Sequence, residues 1–557
     1  MEQIYYGSNC NFTSYSFKIC FNESGLNQDK IYLKFDATTW LMRRLIICTS
    51  GTDKNSPFHV ISVNNPIRDA FIEYGEKQGL SVAETNLSRT MLGPHLVLKL
   101  AGNSTDKGLR MTYGTHLLTD LHRFIAEGNR EQVNSITSSA DRIIPDDQQS
   151  LIDVAIIARD IGNHEDSYRI CRHILSINAE NGFAMYELAT LDAMRGRHVE
   201  ALLGLEKNIA RMPGDERSIR FAARMSARIG DHAGARAYVK LADEMSPDNS
   251  DVAWLRELCD FMQYYPAGVA DRISAKIEND KRYVSKDCLI DWARAALQDR
   301  RGFSMIRLGD GEGAFCRISS EDEQRYRNLY RFCRDDRARV WFNGEIDLIE
   351  SGFTDTAFGL RQAMYDADVL GLPYRSWVAH EYQFCGPTGI TCLVNALRLA
   401  KVPAVDRGQS WTTQQVHAEL LQSTLLEKLV RECKRISLIS CMSDAPHILR
   451  EAFDLDEVDF YKIPGEKAHL HLLGQDAGEG RHFPDRFNVL MDELSQPLHG
   501  QLFLVAGGIL GKFYCTRIKQ SGGVALDVGS IIDAWMGRMT RPNYGNSYTL
   551  PAAKSKI

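Results

Sequence analysis

Gly128, Gly162, Gly196 and Gly230 stand 34 residues apart. Each follows an apolar pattern of helical period, and a second such pattern begins just behind it. Glycine is the strongest local break in a helical pattern, so the spacing predicts a train of helical hairpins. Five residues beyond the last three glycines come Ser167, Ala201 and Ala235, small enough for helices to pack closely. Pro145, Pro213 and Pro247 keep the same phase, with Ala179 in the remaining slot. A single hairpin cannot bury its apolar face alone, so such units stack into an array.

A 34-residue helix–turn–helix period resembles tetratricopeptide repeats, here divergent, because the full set of consensus aromatics is not present. Such an array implies an extended surface for a protein or peptide partner or for self-association; the plainer alternative is a spacer between domains.

The chain's 557 residues exceed one domain's worth of core. With 44% apolar and 25% charged residues it has the balance of a globular protein. A net charge of −6 argues against general nucleic-acid binding. Met1–Gly7 is polar and aromatic, unlike the start of a signal peptide. No apolar stretch reaches the roughly 18 residues that span a bilayer. The 13 cysteines lack Cys-x-x-Cys or zinc-ligand spacing, which fits reduced core thiols in a cytoplasm.

Residues 1–115 are expected to form a small α/β or β-rich domain. Ile31–Phe35 and Phe58–Val63 read as strands, Ile67–Gly79 as a helix, and His95–Leu100 as a further apolar run. Residues 116–279 hold the helical repeats, and 541–557 form a tail. Between 280 and 540, short apolar runs alternate with amphipathic helical segments. The strand candidates are Phe303–Leu308, Asp368–Leu372, Ile436–Cys441, Val458–Ile463, Leu502–Ala506 and Val524–Val528. Thr412–Cys433 and Pro484–Leu494 have helical length and spacing, and Ser320–Glu323 has the form of a capping box. This alternation predicts an α/β domain with a largely parallel sheet, whose ligands lie beyond the carboxyl ends of the strands. The whole reads as a multidomain α/β plus all-α protein.

Three strand ends carry chemistry. In Arg307-Leu308-Gly309-Asp310-Gly311-Glu312, two carboxylates stand two apart. In extended backbone they would face one point and seat Mg or Mn; an ordinary Asp-Gly turn is the competing reading. Gly309 and Gly311 would let a ligand approach the backbone, and Arg307 would balance the carboxylates or hold a diphosphate. Leu502–Lys512 enters a glycine turn with a helix starting near Ile509. Gly507, Gly508 and Lys512 there suit phosphate, unless the glycines serve only strand-to-helix packing. The stretch is neither a Walker A loop nor a dinucleotide fingerprint. Asp527 ends the third strand, and Ser530 is placed to cap the next helix. Asp527, and equally Asp368, would contact a ribose, a sugar hydroxyl or the metal shell, or merely bond nearby backbone. Glu466 and Lys467, in a turn after another strand, would border the pocket. His417, His469, His471 and His482 are candidate general bases that no motif fixes.

Arg307–Glu312 resembles the Arg-x-Gly-Asp-Gly-Glu signature of bacterial GT-D-type glycosyltransferases. Ala367–Gly371, Gly507–Lys512 and Ala525–Gly529 follow in the family's order, over residues 285–540. Ser530 departs from the histidine of relatives. The resemblance implies a cytoplasmic enzyme, peripheral at the inner membrane face, for surface glycan assembly. It would move sugar from a nucleotide-sugar donor, typically a UDP-sugar, to a glycan or protein acceptor. A divalent cation would sit on Asp310 and Glu312. Another metal-dependent phospho- or nucleotidyltransferase, or a non-catalytic repeat scaffold, are the alternatives.

Overall fold

The computed structural model describes residues 117–125, 129–247, 249–342, 352–401, 408–466, 469–538, 540 and 548–554, with the backbone of six earlier strands. The chain divides into two compact units, Met1–Glu187 and Leu188–Ile557.

In the first unit, β1 (Ser14–Ile19) and β2 (Ile31–Asp36) pair antiparallel. β3 (Leu45–Thr49), β4 (Phe58–Ser62), β5 (Val82–Thr90) and β6 (Gly93–Leu100) form an antiparallel sheet in the order β3-β4-β6-β5. The three strand-like runs expected here are therefore strands; the Ile67–Gly79 helix lies outside the described residues, as does Gly128.

The hairpins keep their period. Their first helices start at Gln148, Gly182, Glu216 and Ser250, each 34 after the last. Gly162, Gly196 and Gly230 turn the chain with φ of +89°, +76° and +86°, left-handed backbone that glycine adopts without strain. Ser167, Ala201 and Ala235 are buried.

The second unit holds a seven-stranded, wholly parallel sheet. Its strands are β7 (Phe303–Arg307), β8 (Val369–Leu372), β9 (Ser410–Thr413), β10 (Arg435–Ser440), β11 (Glu457–Lys462), β12 (Leu502–Val505) and β13 (Val524–Asp527). Their order is β11-β10-β12-β13-β7-β8-β9. The central strands are buried throughout, as parallel strands covered on both faces must be. Phe303, Met305, Leu502, Leu504, Val524 and Leu526 share one core with the helices Lys286–Gln298, Val416–Ser423 and Ala445–Phe453.

Four expectations shift by local detail. The Thr412–Cys433 segment begins as β9 and then breaks into two helices at Thr424, which adopts φ +57°. Pro484–Leu494 opens with a wide turn, His482–Arg486, before the helix Phe487–Glu493. Ser319, not Ser320, caps the helix Ser320–Arg325, its side chain accepting the Asp322 N–H at 3.1 Å. Ser530 holds the cap position of Ile531–Trp535, but its side chain makes no capping bond.

After β7 the chain bends into a tight turn, Glu312–Phe315, pressed on the helix Pro387–Lys401. A Cβ on Gly313 would stand 1.8 Å from the Cys392 carbonyl oxygen, so this approach requires glycine. Gly313→Ala is expected to cost about 3 kcal/mol in urea denaturation, as overpacking against backbone does. Gly214, with nothing within 4 Å of an added Cβ, should accept alanine within about 0.5 kcal/mol.

Candidate functional site

β7 is flanked by the next strand in the chain, β8, and by the last, β13, so chain order breaks between β7 and β13. Crevices of this kind at the carboxyl ends of parallel strands are where α/β sheets bind ligands. A cavity lies there, lined by residues that end or follow five strands: Arg307, Gln414, Cys441, Gly507 and Asp527.

Its floor is a buried four-charge network. Arg307, Glu312, Lys512 and Asp527 are 7%, 7%, 4% and 3% exposed, so each charge needs a partner. Arg307 meets Asp527 three times. Its backbone N–H donates to Oδ2 at 3.1 Å, Nε to the Asp527 carbonyl at 2.9 Å, and Nη2 to Oδ1 at 3.1 Å. Lys512, in the second turn of the helix Gly508–Gln520, donates to Asp527 Oδ2 and lies 3.5 Å from Glu312 Oε1. Glu312 Oε2 accepts the Gly309 N–H at 2.8 Å. Two cations thus balance two carboxylates. Burial alone would raise the Asp527 carboxyl, but Arg307 and Lys512 outweigh it and hold it down at about 2. Burial likewise opposes the Lys512 ammonium, yet Asp527 and Glu312 raise its pKa above the ordinary value.

The glycines divide by role. At Gly529, φ is +51° and a Cβ would lie 2.3 Å from Arg307 Nη2, so the guanidinium lies against bare backbone. Gly508, at φ +56°, has open space where a Cβ would stand, and it lines the cavity with Gly507 and Gly309. Gly311 does not line it. A Cβ there would meet the Trp341 ring at 2.5 Å, so this glycine admits an aromatic side chain.

Asp310 and Glu312 both line the cavity, but not by the extended geometry that their spacing suggested. The strand ends at Arg307, and Glu312 already belongs to the turn packed on Cys392. Glu312 is buried, whereas Asp310 has a half-exposed side chain and pairs with Arg337 at 3.2 Å. Among the described residues, no group of three or more His, Cys, Asp or Glu side chains forms a ready metal cluster. Asp368 is not at the cavity. It precedes β8 at the amino end of the sheet, accepting the Ser304 N–H at 2.8 Å and pairing with Lys519 at 2.9 Å.

Three of the candidate histidines reach the cavity; the His471 side chain and Lys467 lie outside the described residues. Burial, assisted by Arg307, drives His417 down to about 2. Its Nδ1 is 3.2 Å from the Gln414 carbonyl oxygen. Burial and Arg486 lower His482 to about 3, and its Nε2 is 3.1 Å from the Tyr514 hydroxyl. His469 Nε2 lies 3.5 Å from Glu466 Oε2.

Trp341, Phe342, Gln414 and Asp533 also line the cavity, and sequence reasoning passed over them. Trp341 stands four residues beyond Arg337, on one face of the helix Arg327–Phe342, a spacing that carries the signal. Among the described residues, the lining holds five carboxylates, Asp310, Glu312, Glu466, Asp527 and Asp533, and the two cations Arg307 and Lys512.

Lys512→Met would leave two buried carboxylates under-compensated and should cost about 3–5 kcal/mol in chemical denaturation. Asp527 has its folded pKa depressed, so its contribution is full above pH about 4 and disappears as pH falls through about 2. Urea midpoints across that window should show a loss of about 2 kcal/mol in the wild type that Asp527→Asn does not repeat.

No protein-family model matches this sequence, and no curated protein matches it.

Proposed function

We propose that residues 280–540 are a metal-dependent glycosyltransferase of GT-D type. It would transfer a sugar from a nucleotide-sugar donor, a UDP-sugar, to a glycan or glycoprotein acceptor in bacterial surface glycan assembly. The observation that carries this reading is convergence. Arg307, Asp310 and Glu312 share one cavity with Gly507, Gly508, Lys512 and Asp527, although the stretches are some 200 residues apart in the chain.

The anionic lining supports a role for Mg or Mn. Such ions are commonly held by one or two carboxylates plus substrate phosphates, without a full protein cage. Asp310, half-exposed and paired with Arg337, is the carboxylate proposed to meet the cation; Glu312 is engaged by Gly309 and Lys512. A bound divalent cation would neutralise charge on the departing diphosphate. The chain's own part is positional. The amides at the start of Gly508–Gln520 face the donor phosphates, and the paired Arg307 and Lys512 keep the floor rigid. The hairpins, as tetratricopeptide-like repeats, recruit the acceptor or a second copy of the chain. No helix among the described residues is long and apolar enough to cross a membrane; the proposed place of action is the cytoplasm, at the inner membrane face.

Incubation with UDP-, GDP- and CMP-sugars, with and without Mn, should release sugar only with metal. Asp310→Ala should slow that release about 100-fold or more, while its half-exposed position keeps the stability change within about 0.5 kcal/mol. Turnover of nucleoside triphosphates without sugar release would point to a phospho- or nucleotidyltransferase. Binding without any turnover would point to a scaffold.

A further inference from the structure

The proposed transfer needs a group to take the proton of the attacking hydroxyl, and most titratable groups at the cavity are committed elsewhere. Asp527 is held at about 2 by Arg307 and Lys512 against the effect of burial. His417 and His482 are driven to about 2 and about 3 mainly by burial. Groups so weakly basic retain no proton near neutrality. Glu312 is bonded to Gly309 and close to Lys512. Asp310 pairs with Arg337, and Asp533 accepts the Thr540 hydroxyl at 2.5 Å.

A histidine and a carboxylate on the cavity wall follow β11. His469 and Glu466 both line the cavity, 3.5 Å apart, with side chains 27% and 26% exposed. The His469 N–H donates to the Glu466 carbonyl at 3.0 Å, and the Gly465 N–H to the Ala477 carbonyl at 2.7 Å. Among the described residues, the charged groups nearby are Glu466 itself, Asp476 and Glu479, which pair with Lys462 at 3.7 and 3.4 Å, and Asp533 on the helix Ile531–Trp535. Burial, then Asp533, Glu466 and Asp476, push the Cys441 thiol on this wall up to about 12, so it stays protonated.

We propose that His469, oriented by Glu466, is the general base of the reaction; this rests on the glycosyl-transfer reading above. The acceptor oxygen bonds to the anomeric carbon as its proton passes to the His469 imidazole. The bond from that carbon to the donor diphosphate breaks, and its electron pair leaves with the diphosphate. Glu466 stabilises the imidazolium formed. A single displacement of this kind inverts the anomeric centre.

The test uses the full chain, Mn and the UDP-sugar that the wild type hydrolyses, with water as acceptor. UDP release, Mn–UDP affinity and product anomer by NMR are read separately. His469→Ala is expected to lower turnover about 100-fold while Mn–UDP affinity stays within about twofold, and to abolish the acid limb of the pH profile. Glu466→Gln should keep part of the activity and move that limb to lower pH, because removing the anion disfavours the imidazolium. The released sugar should be inverted. Wild-type turnover in His469→Ala, equal losses of turnover and affinity, or a retained anomer would each overturn the assignment. Absence of donor turnover in the wild type would instead remove the functional reading, and this inference with it.

Discussion

The contact of Arg307 with Asp527 joins the two central strands at the point where chain order breaks. Around it the rest of the cavity is organised. A lone ion in such a place would cost several kcal/mol in lost hydration. Each of the four ions is therefore tied to another, and the ties run between elements. Arg307 ends β7, Asp527 ends β13, Lys512 belongs to the helix after β12, and Glu312 to the turn after β7. Removing one member leaves its partners buried and unbalanced, so the network constrains four elements together. Asp310, at the rim, stands outside this network and pairs with Arg337.

The glycines follow from the same crowding. Gly529 gives the Arg307 guanidinium its place, and Gly313 lets the Glu312 turn reach the carbonyl of Cys392. A bend so close to the strand end directs Glu312 inward and leaves Asp310 exposed. Two carboxylates two residues apart thereby acquire different work: one positions a lysine, and the other meets solvent.

Much of this was legible in the sequence, for identifiable reasons. Central parallel strands are buried on both faces, so they read as unbroken apolar runs, and all six expected strands of the second unit are present. β9 was missed because Ser410-Trp411-Thr412-Thr413 is short and mostly polar. The hairpin turns were legible because glycine meets the positive φ at little cost. At the site, the strand-end rule found Arg307, Asp527 and the Gly507–Lys512 turn. The same rule argues against Asp368, which begins its strand. What one-dimensional reasoning lacked was partnership. Lys512 looks like a phosphate ligand until Asp527, fifteen residues away in sequence, is seen to accept its proton donors. Spacing likewise gave no account of the Glu312 bend, which depends on Cys392 some eighty residues away.

Within Leu188–Ile557 the last hairpins are built into the sheet domain. The segment joining them belongs to the sheet edge: Trp411 of β9 donates its N–H to the Arg282 carbonyl at 2.9 Å, and Val284 donates to the Trp411 carbonyl at 2.7 Å. Glu257, on the helix Ser250–Tyr264, accepts from the Asn328 side chain at 2.6 Å and the Leu329 N–H at 2.8 Å. Arg228 donates to the Tyr382 carbonyl at 2.9 Å, and Trp254 stacks on Phe332 with ring centroids 4.5 Å apart. The helix Arg375–Phe384, which carries Tyr382, also places Trp377 within 3.9 Å of where a Gly309 Cβ would stand. One helix therefore touches both the hairpins and the motif that lines the cavity. A flexible tether would hold a bound partner only at some average concentration near the cavity. Hairpins bonded into the sheet edge would hold any partner they bound at a fixed position relative to the cavity.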